Sequence, residues 1–213
     1  MKQHGTISEP ASEARERLIA AALLLFTRCG YSAASIREIC QTANVSKPVL
    51  YYYFKSKEGL YLEIMDGISR LFDQRVQELG TSSGTVRQRL LHFLGGMFDS
   101  ARTNLEAVRL AYSIYFGPPQ GAPFIDFNRF FDLTVALVND LIAEGVRNGE
   151  IRTCDQEALS WSLVGSYQTI LEEQICRTPP RINRQGLFRV LYLILDGVAP
   201  SAPAVHISKE FPT

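Results

Sequence analysis

One stretch, Ser46 to Lys57, constrains this chain more than any other: Ser-Lys-Pro-Val-Leu-Tyr-Tyr-Tyr-Phe-Lys-Ser-Lys. It is too short to be a stable helix alone. It also carries three tyrosines, a proline and three lysines where a core helix would carry aliphatics. Wound as a helix, it sorts its residues by face. Leu50 and Phe54, four apart, share one side. Pro48, Val49 and Tyr52 fall on the other, with Tyr51 and Tyr53 on the flanks. One side is built to be buried. The other offers apolar edges, an aromatic ring and phenol hydroxyls, with cations at both ends. That composition suits a helix pressed into the major groove of DNA, where apolar groups meet thymine methyls and hydroxyls and lysines meet phosphates.

The flanking residues supply a frame for it. Ser46 is a natural N-cap, and Pro48 sits in the first turn, where its missing N–H costs nothing. Upstream, Ser35 with Glu38 reads as a capping box, and Ile36, Ile39 and Cys40 make a buried stripe. Between the two helices stand Ala43, Asn44 and Val45. Asn44 tolerates the left-handed conformation that a tight turn needs, and Val45 plugs the corner. Helix, short turn, helix is the helix-turn-helix.

At this point the chain resembles a known family. Residues 12–62 are similar to the N-terminal domain of TetR/AcrR-type transcriptional repressors, the tetracycline-repressor-like family. The matching pieces are Leu18-Ile19, Ala21-Ala22, Leu25-Phe26, Gly30-Tyr31, Ser35-Ile36, Ile39-Cys40, Val45-Ser46-Lys47, Leu50 to Phe54, Lys57-Glu58 and Leu60. Order and spacing agree throughout. Asn44 departs from the pattern, since the family usually has glycine there.

Composition bounds the rest. The 213 residues suffice for one or two compact domains. Hydrophobic content of 46% and charged content of 21% are ordinary for a globular protein. No apolar run reaches membrane-spanning length, and the N-terminus lacks the order of a signal peptide. The expectation is a cytoplasmic protein with no membrane partner. Formal net charge is zero, yet residues 1–60 carry 8 Lys+Arg against 5 Asp+Glu, and the remainder 14 against 17. A mildly basic end on a mildly acidic body fits a reading head for DNA, although scattered solvated charges produce such a split as well. The four cysteines, Cys29, Cys40, Cys154 and Cys176, form no metal spacing. Cys29 and Cys40 are expected in the core as small hydrophobes; Cys154 falls in a loop.

Apolar residues at helical period then predict an all-α chain of about nine helices. A first helix runs from Ser12 to Cys29 and stops at Gly30. The helix-turn-helix follows. A long helix from Lys57 to Leu79 leaves the reading head and links it mechanically to a body. Thr85 with Gln88 opens a helix to Asn104, and Leu105–Phe116 is the next. Phe124–Asn148 is expected as one long helix. Asp155 caps Gln156–Cys176, and Asn183 caps Arg184–Val198. The expected domains are 12–56, a three-helix DNA-binding domain, and 57–198, a larger helical domain for ligand binding and dimerisation. Residues 1–11 and 199–213 are expected as flexible tails.

Enzyme signatures are missing. His4, His92 and His206 are far apart, and no helical metal motif, P-loop, GxSxG or GxGxxG occurs. No catalytic residue, metal site or cofactor is expected. The body does carry many aromatics, most of which plain core packing explains. The resemblance implies a small-molecule pocket among them. Its candidates are Met97, Phe98, Arg109, Tyr112, Tyr115, Phe131, Trp161, Tyr167 and Gln168, apolar surfaces with a few polar tips. The last two helices are more apolar than one partner helix needs. A fully buried pair within a monomer satisfies the pattern; the resemblance favours a two-fold four-helix bundle through Val164, Gly165, Leu171, Ile175, Phe188, Leu191, Tyr192 and Leu195.

The function so implied is a homodimeric DNA-binding regulator, a repressor released from a palindromic double-stranded operator by a small, largely apolar or aromatic effector. Ser35, Tyr51, Tyr53 and Lys57 would hold phosphates. Arg37, Ser46, Lys47, Pro48, Val49 and Tyr52 would face bases, groove wall or backbone. One rival is a regulator on the same scaffold controlled by a protein partner or with no inducer. A second is an all-helical enzyme or metal protein.

Overall fold

A computed structural model describes residues 9–118 and 121–199. Among them stand nine α-helices and no strand: α1 (Glu9–Ala33), α2 (Ile36–Ala43), α3 (Lys47–Phe54), α4 (Lys57–Thr81), α5 (Val86–Thr103), α6 (Leu105–Phe116), α7 (Asn128–Arg147), α8 (Gln156–Cys176) and α9 (Arg184–Gly197). α1 opens earlier than the expected Ser12. Most of the two expected tails lies outside the described residues.

Helix boundaries follow local chemistry. Ser35 and Glu38 close a reciprocal capping box at α2. At α5, the Gln88 amide donates to Thr85 Oγ1 at 3.2 Å and the Thr85 amide to Gln88 Oε1 at 3.0 Å. Asp155 accepts from the Ala158 amide at 3.0 Å and Asn183 from the Gly186 amide at 3.1 Å. Each side chain satisfies a backbone donor that the first helical turn leaves unpaired. α1 breaks at Gly30 (φ 82, ψ 163), a conformation that a side chain would strain.

By packing, the chain forms two compact units. Residues 1–77 with 99–130 make the first, and 78–98 with 131–213 the second. The first therefore holds more than the helix-turn-helix: α6 packs on α1. Leu18, Ala22, Phe26, Ile39, Leu50, Leu60 and Leu110 are buried together there. In the second unit α8 packs on α9, and Leu163, Val164, Leu187 and Leu191 are buried.

Two local expectations fail. The helix expected from Phe124 begins only at Asn128. Residues 124–127 run without helix, Phe124 is 89% exposed, and Ile125 and Phe127 pack on the first unit's core. Side chains two apart meet that core, as an extended segment places them, so the period is 2 and not 3.6. Cys29, expected in the core, is exposed, with its thiol donating to the Leu25 carbonyl at 3.0 Å. Tyr31 is packed instead, its ring 5.4 Å from that of Phe26.

Candidate nucleic-acid interface

α3 is held from below and bare above. Leu50 is fully buried and Phe54 nearly so. On the other side Lys47, Pro48, Tyr51 and Tyr52 are exposed, Tyr52 to 67%. Val49 and Tyr53 are half-buried and lean on the head's core. The Tyr52 and Tyr53 rings meet edge to face at 4.9 Å, which orients the exposed ring. Ser46 takes the N-cap conformation (φ −81, ψ 154), but its hydroxyl makes no cap hydrogen bond. That hydroxyl is exposed beside Lys47.

The preceding turn is as the residues demand. Asn44 is left-handed (φ 52, ψ 49), and its amide donates to the Cys40 and Gln41 carbonyls. After α3, Lys55 also takes a positive φ of 64°, and its Nζ donates to the Tyr52 carbonyl at 3.0 Å. Lys55 thus adds an exposed cation at the end of the reading helix. The cation was legible in the sequence; its positive φ was not, since lysine carries no preference for this backbone.

Other expected phosphate contacts are already engaged within the chain. Ser35 Oγ accepts from the Glu38 amide at 3.2 Å and donates to Glu38 Oε2 at 2.6 Å. These bonds and the Ser35 amide hold the Glu38 carboxyl below its usual range. The Ser35 hydroxyl proton is therefore committed to Glu38. The Lys57 ammonium donates to the carbonyls of Tyr31 at 2.9 Å and Ala34 at 3.1 Å. Arg37, by contrast, is exposed.

Beneath the reading surface, Arg15 joins α1 to α4 through Glu63 Oε1 at 2.6 Å, and Arg70 meets the same oxygen at 3.1 Å. No sequence pattern could pair residues so distant. Tyr61 is fully buried with its hydroxyl unpartnered. Burial, and secondarily the neighbouring Tyr31, push its pKa up to about 12.

The candidate effector residues divide between the units. Arg109, Tyr112 and Tyr115 belong to the first. Arg109 pairs with Glu106, and the Tyr115 hydroxyl donates to Asn128 Oδ1 at 2.7 Å. Met97, Phe98, Phe131, Trp161, Tyr167 and Gln168 belong to the second. There Phe98 and Tyr167 are buried in the core. Phe131 and Trp161 bring their rings to 5.5 Å, and Trp161 is half-exposed. A polar concavity of about 440 Å³ lies at the α8–α9 turn, lined by Arg181, Asn183, Gln185 and Arg189 among others. It contains none of the expected residues. Among the described residues, no group of His, Cys, Asp and Glu could hold a metal ion, and no helix is long and apolar enough to cross a membrane.

The expected dimer face is covered in part by the chain itself. Val164, Leu171, Leu191 and Leu195 are buried within the chain itself. Phe188 is half-buried, and a Cβ on Gly95 would lie 2.6 Å from its Cζ, so its ring seats on α5. The apolar side chains left exposed on these helices are Trp161 on α8 and Tyr192 and Leu193 on α9, Leu193 to 75%. Gly165 faces open space. Leu193 lies off the expected stripe, and beside Tyr192 it forms an exposed apolar pair on α9.

Comparison with known proteins sets this geometry in a family. A family model described as bacterial regulatory proteins, tetR family, matches residues 18–64. The chain is 35% identical over 218 residues to the HTH-type transcriptional regulator RutR of Escherichia coli K12, covering 94% of this chain and 97% of RutR. It is 37% identical over 115 residues to the HTH-type transcriptional activator FasR of Mycolicibacterium smegmatis, a match spanning 53% of this chain and 52% of FasR. Among solved structures, the transcriptional regulator FadR from Bacillus subtilis, in complex with stearoyl-CoA, superposes with a TM-score of 0.59 at 17% identity, over 86% of this chain and 98% of that one. At that identity the likeness concerns the fold alone. With RutR matched almost end to end, and the helix-turn-helix lying inside the family's matched segment, the chain belongs to the tetR family of bacterial regulatory proteins, DNA-binding transcriptional regulators and not enzymes.

Proposed function

We propose that this chain is a homodimeric repressor that reads a palindromic operator with α3 and leaves it when a small, largely apolar effector binds. One observation carries the DNA reading: α3 buries Leu50 and Phe54 while exposing Lys47, Pro48, Tyr51 and Tyr52 on its free side. Tyr52 and Pro48 offer apolar surface to base edges; Lys47, Ser46, Tyr51 and Arg37 offer donors to phosphates or bases. Two copies present two such helices, and a two-fold dimer matches a palindrome when they lie one DNA turn apart, about 34–36 Å. Exposed Trp161, Tyr192 and Leu193 support the dimer. The effector reading rests on the aromatic pair Phe131–Trp161 and on the acyl-CoA held by the FadR neighbour. An effector releases DNA only by its differential affinity for the two states.

The test begins with a duplex selected by the protein from a random pool. Tyr52→Ala should lower affinity for it by about 1–3 kcal/mol and for unselected duplex much less. An equal loss on both demotes Tyr52 to a backbone contact. Stearoyl-CoA is the first effector to titrate. If it weakens binding of the selected duplex, the duplex must weaken its binding by the same factor. Two independent affinities refute control by this effector.

A further inference from the structure

We propose that Lys57 is a positioning residue of the reading head, clamping the turn between α1 and α2 to the first residue of α4, and that it makes no phosphate contact. The proposal deepens the DNA-binding reading and rests on it. An ammonium has three N–H donors. Those of Lys57 face the Tyr31 carbonyl at 2.9 Å, the Ala34 carbonyl at 3.1 Å and the Ser32 carbonyl at 3.5 Å. The same Nζ lies 4.3 Å from the centre of the Tyr31 ring. The ammonium is therefore met by two backbone oxygens at ordinary hydrogen-bond distance, a third at 3.5 Å and one aromatic face, and a phosphate would have to displace one of them.

Its place in the chain argues the same way. Lys57 opens α4, where a cation opposes the helix's own dipole. Four residues on, Tyr61 meets the edge of the Tyr31 ring with centroids 5.1 Å apart. α4 thus grips Tyr31 twice, through the cation on its face and carbonyl and through a ring at its edge. Ala34, 1% exposed, is one of the gripped residues, and the next is Ser35, the N-cap of α2. The clamp consequently sets where α2 begins, and α2 sets the turn into α3.

The experiment separates clamp from contact. Lys57→Met and Lys57→Arg are compared with the unmodified full chain on the duplex selected from a random pool and on unselected duplex, across a salt series. Under the clamp both variants lose tenfold or more on the selected duplex, as an order-of-magnitude expectation, while the ratio of selected to unselected affinity falls. An Arg fork does not reproduce three convergent ammonium bonds, so it should not rescue. The slope of log K against log salt stays unchanged. A phosphate contact predicts the reverse: the slope drops by about 0.9 in Lys57→Met, and Lys57→Arg restores affinity. That result, or unchanged affinity in Lys57→Met, overturns the proposal. A merely structural lysine would lower thermal stability and leave the selected-to-unselected ratio intact below the transition, which also overturns it. Should both variants fail to fold, NMR of the Lys57 ammonium in the unmodified protein decides. Its protons should exchange slowly, and its signal should keep its position when unselected duplex is added; a shifted signal refutes the clamp. If the unmodified chain selects no duplex at all, the DNA reading fails by itself, apart from the clamp.

Discussion

The proposed dimer face yields a paired prediction on neighbouring leucines of α9. Leu191 is fully buried within the chain, and Leu193 is 75% exposed. Truncating a fully buried leucine to alanine removes its transfer energy and leaves a cavity, at about 2–5 kcal/mol. Against a typical stability of about 5–15 kcal/mol, Leu191→Ala should shift the unfolding midpoint plainly while leaving the mass of the folded species unchanged. Leu193 behaves oppositely. In the isolated chain its replacement should stay within about 0.5 kcal/mol, as for other surface sites. If a two-fold partner covers it, the remaining three-quarters of the side chain leaves water in each copy. Full burial of a leucine contributes about 1.5–3 kcal/mol, so the two copies together stand to lose about 2–4.5 kcal/mol per dimer. That is on the order of 30- to 2000-fold in the dimer dissociation constant. Leu193→Glu adds an unpaired charge in the same place and should do at least as much. Light scattering across a dilution series reads the mass, and urea unfolding reads the chain. A Leu193→Glu protein that stays dimeric at wild-type dilution removes α9 from the interface. A Leu191→Ala protein of unchanged stability would contradict its burial.

Two further substitutions test the head and the α8–α9 turn. A Cβ on Gly59 would overlap the Phe54 backbone carbonyl oxygen; alanine's helical preference is worth only about 1 kcal/mol, and overpacking against backbone costs about 1–3 kcal/mol or more, so Gly59→Ala should destabilise, and a stabilised variant in thermal unfolding would refute that contact. Glu173 takes hydrogen bonds from the Arg181 amide and guanidinium, with Arg177 also in range at 3.5 Å, and these hold its carboxyl down at about 2. A carboxyl depressed in the folded state stabilises it above the unfolded pKa, about 4.3, and the contribution fades as pH falls from there towards 2. The stability gap between the wild type and Glu173→Gln should thus be full at neutral pH and close in that acidic window; a gap unchanged there would refute the depressed carboxyl.

The fold was legible where one side chain decides a boundary. Ser35, Thr85, Asp155 and Asn183 each satisfy backbone donors within a few residues of themselves, so their meaning survives without tertiary context. Asn44 is legible for the same reason. Phe124 to Phe127 is not. Its apolar residues fit a helix or an extended segment over so short a run, and the nearby core of the first unit chose the second.

The site was legible in part, for a related reason. Periodicity reports that a side chain leaves water, and says nothing of which chain covers it. On α3 the distinction was easy, because phenols, a proline and lysines opposite Leu50 have no use in a core. α8 and α9 are more apolar than one partner helix needs, and the regular stripe of Val164, Leu171, Leu191 and Leu195 is what a chain's own core looks like. The residue left uncovered is the one that breaks the stripe, Leu193, and the proposed partner would cover it. Lys57 carries the same lesson in polar form. Its position opening α4 beside a reading head suggests a phosphate, but charge alone does not name the acceptor. Three carbonyls contributed by residues 23 to 26 positions earlier hold it, and only the folded turn at Gly30 brings them within reach.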